Sequence, residues 1–165
     1  MCADLTLQIA SLSAEPRKGA SFVAAAFDVD MSDQQREAFI AREPEYDFEE
    51  VPFFSMDESL PGGRGVICVR SSDDMLRPGA VADGVMPGKV SSVWNWQPDS
   101  GLLPASVYLR HCLLAVEKAG PAAYSSFLKD TYLVDRRTTL EEYLHRHPEV
   151  WKARPPTDLE SRFNG

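Results

Sequence analysis

The chain has 165 residues, 44% of them hydrophobic and 25% charged, with a formal net charge of −8. That length and balance suit one globular domain with a core of its own and exclude wholesale disorder. The acidic balance argues against nucleic acid or an anionic membrane surface as a partner, and no Lys/Arg cluster reverses it; Arg136-Arg137 sits beside Asp135 and reads as a solvated turn.

Taken in chain order, the first candidate element is the alternating run Leu5–Ile9, a short strand. A polar loop with Pro16 follows. Ser21–Val29 is almost wholly apolar, so both of its faces want cover, which predicts a central strand buried on each side. Ser32, with Gln35 three residues on, forms a capping box and opens a helix that Pro44 forces to end near Glu43. Tyr46–Phe54 and Val66–Val69 are predicted as two strands of a hairpin, with Pro61–Gly65 as the turn. Ser71–Lys89 is an irregular excursion rich in Gly, Pro and Asp.

The last third is predicted helical. Pro104 opens a helix stopped by Gly120, Pro121 to Tyr132 is a second, and the Thr139/Glu142 capping box starts a third that ends before Pro148. Residues 1–148 are taken as the domain and 149–165 as a polar surface tail. No run of 18 apolar residues and no basic leader followed by an apolar stretch occurs, so no membrane span or signal peptide is expected. Three cysteines, Cys2, Cys68 and Cys112, match no metal or redox spacing and suit a reducing, cytoplasmic setting.

Glu43 is the leading candidate for chemistry. Four residues after Phe39 and three after Ile40, it continues the apolar stripe of its helix, at the end where the dipole disfavours a carboxylate. An acid held against both trends, half out of water, makes a useful general base. The plain alternative is an exposed glutamate at a fraying helix end. The neighbouring Glu45, Asp47, Glu49 and Glu50 could hold a hard cation, but their order lacks the calcium-loop pattern and no His joins them, so a solvated strand edge accounts for them. His145 and His147 are two apart and point to different helix faces; His111 and Cys112 are adjacent and cannot face each other. Trp94 and Trp96 share one face of an extended segment, as an aromatic wall or as ordinary packing.

Phe27-Asp28-Val29-Asp30, then Phe39-Ile40-Ala41-Arg42-Glu43 and Tyr46-Asp47-Phe48-Glu49-Glu50-Val51, resembles the central block of the γ-glutamylcyclotransferase-like superfamily, which includes ChaC-type and AIG2-like proteins. Pro104, Ser106, Tyr108 and Leu109 are similar to that family's helix opening Pro-x-Ser-x-Tyr-Leu. The resemblance spans roughly Leu5 to Gly120. It implies an α+β fold with a small mixed β-barrel flanked by helices. It also implies intramolecular cleavage of a γ-glutamyl amide, on glutathione or a related small molecule, to 5-oxoproline and an amine or amino acid. No metal or organic cofactor is expected. The family's essential acid falls on Glu43, and Tyr108 is a candidate for substrate positioning. The family's opening Tyr-Gly-Ser loop, which holds the developing oxyanion, occurs nowhere in this chain. The resemblance therefore implies an N-terminally incomplete chain, an anion site built from other residues, or a member without activity that binds a small molecule or another protein.

Overall fold

The computed structural model describes residues 7–75 and 93–163. Cys2, the first half of the Leu5–Ile9 run and most of the Ser71–Lys89 excursion lie outside them. The described residues form an α+β protein with two small sheets, one parallel and one antiparallel, each of two strands. No helix among them is long and apolar enough to cross a membrane.

The chain divides into two compact units. The first gathers residues 1–12, 19–25 and 97–165, and the second residues 13–18 and 26–96.

The first unit is built on helices. Strand β1 (Gln8–Ala10) pairs in parallel with β4 (Leu103–Pro104). Ser106 Oγ donates to Gln8 Oε1 at 3.1 Å and pins the start of α2 (Ser106–Lys118) to β1. Pro104 thus serves in β4, and Ala105 is the N-cap of the helix it was expected to open. Gly120, at a φ of 104° that L side chains rarely adopt, ends that helix and starts α3 (Pro121–Asp130). The link from α3 to the next helix is a small hairpin. Leu133 N donates to Thr138 O at 2.9 Å and Leu140 N to Thr131 O at 3.0 Å, with Arg136 in the left-handed region at φ 55°. Asp135 ties this turn. Its Oδ1 accepts from the Arg137 and Thr138 N–H groups, both at 2.9 Å, and its Oδ2 from the Thr138 hydroxyl at 2.6 Å. Burial pushes that carboxyl up, but these hydrogen bonds and the Arg137 charge outweigh it and leave it below its usual value.

Helix α4 (Leu140–Arg146) begins with the expected capping box. Thr139 accepts from Glu142 N, and Glu142 accepts from Thr139 N. Leu109, Leu113, Leu140, Tyr143, Leu144 and Val150 form one cluster, with Leu113 0% and Val150 1% exposed. The stretch from 149 onward is therefore more than a surface tail. Val150 completes the core from a 3-10 turn (Pro148–Lys152), and Phe163, in the short helix α5 (Glu160–Phe163), meets the His111 ring edge-on at 5.8 Å. Trp151 stays exposed.

The second unit is a ribbon with a helix. Helix α1 (Asp33–Arg42) has the complete Ser32/Gln35 capping box and buries no residue fully. Strands β2 (Tyr46–Phe53) and β3 (Gly63–Arg70) pair antiparallel over their full length, from Tyr46 opposite Arg70 to Phe53 opposite Gly63. Their connection turns at Asp57, whose carboxylate accepts from Ser59 N at 2.9 Å while Leu60 N donates to Asp57 O. The turn thus precedes Pro61, and Gly63–Gly65 belong to β3. The ribbon explains those glycines. A Cβ on Gly63 would stand 2.9 Å from the Phe53 ring opposite, and one on Gly62 would stand 2.6 Å from the Phe53 carbonyl oxygen. Ala14 bridges Val69 in parallel and accepts from Arg70 N at 2.9 Å, while Arg70 pairs with Glu15 at 3.2 Å.

The expectation of a central strand at Ser21–Val29 is overturned. The segment has no regular structure, and Phe27 is 81% exposed. Apolar composition alone does not make a central strand. Such a strand needs a hydrogen-bonded neighbour on each edge and a layer on each face, and neither described sheet includes this segment.

Candidate functional site

Glu43 is the C-cap of α1, at φ −115° and ψ 58°, where Pro44 stops the helix. Its N–H donates to Ile40 O at 3.3 Å and its carbonyl accepts from Tyr46 N at 3.2 Å, so a single tight corner joins α1 to β2. Glu43 is half-buried, as are Phe39 and Ile40, which places all three on the stripe that the sequence spacing predicts.

The ribbon supplies the surroundings. Tyr46, Phe48 and Cys68 lie on one face, with Phe48 and Cys68 directly opposite each other. The Phe39 and Phe48 rings meet at 5.5 Å and fix the helix against this face. The Arg42 guanidinium stands over the Phe39 ring at 5.8 Å. The Cys68 thiol is pushed up, first by burial and then by the Glu43 carboxylate, so the acid is within electrostatic reach of the sulfur.

Trp94 is the member that sequence reasoning did not attach to this place. Its indole N–H donates to Glu45 O at 2.7 Å, and its ring meets Tyr46 edge-on at 5.3 Å. Asp73 holds the Trp94 backbone, accepting from Val93 N at 3.0 Å and Trp94 N at 2.7 Å. The spacing of Trp94 and Trp96 marked a shared face, and both are half-buried with Asn95 exposed between them. Nothing in the sequence tied that face to the Glu43–Tyr46 corner, nearly fifty residues away. Ser71, just past β3, is buried, and its hydroxyl has no partner among the described residues.

The arrangement offers one carboxylate beside a neutral thiol and an aromatic pair, half-sheltered from water. Asp47, Glu49 and Glu50 are exposed along β2, and Glu50 pairs with Arg64 across the ribbon. No group of three or more His, Cys, Asp or Glu among the described residues is placed to hold a metal ion.

Tyr108 belongs to the other compact unit. It is half-buried on α2, and its hydroxyl hydrogen-bonds with Cys112 one turn on. Burial raises the Cys112 thiol, and that hydrogen bond only partly offsets it. His111 turns instead to Phe163, so the adjacent His111 and Cys112 have separate partners. His145 and His147 also diverge. His147 stacks on Tyr143 at 4.4 Å and meets Glu149 at 2.9 Å, whereas His145 lines an open groove of about 600 Å³ with Thr138, Glu141, Glu142 and Arg146.

No family model matches this chain, and neither does any curated protein or solved structure.

Proposed function

We propose that this protein is a γ-glutamylcyclotransferase-like enzyme that converts glutathione or another γ-glutamyl compound to 5-oxoproline and the released amine or amino acid. Glu43 is its general acid/base. The observation that carries this reading is the half-buried Glu43 carboxylate, fixed by the α1–β2 corner and close enough to Cys68 to raise its thiol. In this reading Glu43 takes a proton from the substrate's α-ammonium. The freed amine attacks the substrate's own side-chain carbonyl and a five-membered ring closes; the ring nitrogen then gives up a second proton, and the amide C–N bond breaks as the leaving nitrogen takes up both protons, the first returned by Glu43. Positioned proton transfer of this kind contributes about 10²–10⁴-fold. Cys68 and Cys112, both free thiols among the described residues, suit a reducing, cytoplasmic setting. The small mixed barrel and the substrate-positioning role of Tyr108 belong to the same reading.

A second reading is favoured by one sequence observation. The chain has no Tyr-Gly-Ser, and losing an oxyanion donor costs about 10²–10³-fold. A member without that loop would bind a γ-glutamyl compound or a protein and not turn it over.

The discriminating experiment incubates the purified chain with glutathione and with γ-glutamyl amino acids and measures 5-oxoproline. Turnover that Glu43→Gln lowers by at least about 10²-fold supports the enzyme. Binding without product supports the second reading, and neither binding nor product rejects both.

A further inference from the structure

Among the described residues no side chain hydrogen-bonds the Glu43 carboxylate, so its place is set by the backbone that carries it. That backbone is a tight turn, Glu43 to Tyr46. Pro44, at the second position, has its φ fixed by its ring and lacks an N–H, and Tyr46 N closes the turn on Glu43 O at 3.2 Å. The Glu45 carbonyl, inside the turn, finds its partner far along the chain: the Trp94 indole N–H donates to it at 2.7 Å. The same ring meets Tyr46 edge-on at 5.3 Å, so one side chain grips the turn at its third and fourth positions. Trp94 is itself held by its backbone. Asp73 Oδ1 accepts from Val93 N at 3.0 Å and from Trp94 N at 2.7 Å, one carboxylate oxygen bridging two successive amides. Bonds to a charged acceptor are roughly twice as strong as neutral ones. All of these residues lie in one compact unit.

We propose that Trp94 and Asp73 are positioning residues for Glu43: the indole N–H fixes the turn that aims the carboxylate, and Asp73 fixes the indole. The catalytic consequence rests on the enzymatic reading above, whereas the aim of the carboxylate does not. Packing against Tyr46 would be served by any aromatic ring; the Glu45 carbonyl is what requires an indole, because it needs the donor. Without that donor a half-buried carbonyl must turn towards water, and the residues on either side of it move with it.

The test reads the place of the carboxylate through Cys68, whose thiol lies within its electrostatic reach. The pH midpoint of Cys68 alkylation is measured in the full chain and in Glu43→Gln, each with and without Trp94→Phe. Trp94→Phe keeps an aromatic ring and removes the N–H, and should move the midpoint down by roughly half or more of the Glu43→Gln shift. In the Glu43→Gln chain it should move the midpoint no further. Asp73→Ala should reproduce the shift, and Asp73→Asn, which keeps an oxygen for both amides, should restore the midpoint. Circular dichroism and an unmoved Cys112 profile show that each variant is folded. Should Trp94→Phe unfold, the Asp73→Ala and Asp73→Asn pair carries the same comparison. Where 5-oxoproline is formed, Trp94→Phe should lower kcat by up to about 10²-fold with KM little changed. No shift with Trp94→Phe or with Asp73→Ala overturns the proposal. So does an equal shift in both Glu43 backgrounds, which would come from lost burial of the sulfur. Absence of turnover in the parent chain rejects the enzymatic reading and leaves the thiol result standing, since that measurement needs no substrate.

Discussion

The two compact units handle their apolar residues in opposite ways. Of the nine buried hydrophobic residues described, eight lie in the helical unit, and Val69 is the one in the ribbon unit. Phe27, Phe54, Met56, Leu60 and Val66, all in the ribbon unit, are exposed, Phe54 at 87%. The difference follows from geometry. Helices of 13, 10 and 7 residues present side stripes that converge on Leu113 and Val150, so a small number of leucines closes a core. A two-stranded ribbon has two faces and two edges, and one ten-residue helix cannot cover them.

The contrast can be broken first by truncating apolar side chains. Leu113→Ala should cost about 2–5 kcal/mol, since it leaves a cavity at a fully enclosed site. Phe54→Ala should change the denaturant midpoint little, because its ring is already in water. Equal losses would mean that the ribbon's apolar residues are covered in solution.

A smaller effect separates the two capping boxes. Thr139→Ala should lower global stability by about 1 kcal/mol, because α4 carries Leu140, Tyr143 and Leu144 into the core. Ser32→Ala removes the same interaction from a helix with no fully buried residue. Its effect should appear as faster hydrogen exchange of the α1 amides, with the global midpoint nearly unchanged.

The smallest expected effect lies in the pH dependence of Cys68. Its thiol is raised in the folded protein, so its contribution to stability is complete below the ordinary thiol range and is lost as pH rises through the raised value. Removing the neighbouring charge in Glu43→Gln should lower the pH at which Cys68 becomes alkylated, leaving Cys112 unmoved as an internal control. An unchanged Cys68 profile would separate the acid from the sulfur and remove the geometry on which the enzymatic reading rests.

Much of this contrast is legible in local sequence rules. Ser32/Gln35 and Thr139/Glu142 announce their helices because a capping box satisfies its backbone within four residues. Pro44 ends α1 for an equally local reason, and the 39/40/43 stripe survives into the structure. What fails is anything that needs a distant partner. Ser21–Val29 has the composition of a central strand, but composition carries no record of which strands lie beside it. Pro61–Gly65 carries turn residues, yet the Asp57 carboxylate turns the chain earlier, and across the ribbon Gly63 lies against the Phe53 ring and Gly62 against the Phe53 carbonyl oxygen. Val150 is an isolated valine in a polar stretch, and only the assembled helices reveal it as core. Trp94 likewise joins the Glu43 corner through Glu45 O, a contact between residues 49 positions apart.

The helical unit is assembled from three separate stretches of chain, and that bears on the order in which it folds. The α3–α4 hairpin and the core cluster draw on neighbours in sequence and can form early. The ties from Gln8 to Ser106 and from Val23 to Ser126 span 98 and 103 residues and must close a loop containing the whole ribbon. Closure entropy grows only with the logarithm of that loop, so lengthening the excursion after β3 should slow the last step of folding slightly and leave the helices' own nucleation untouched.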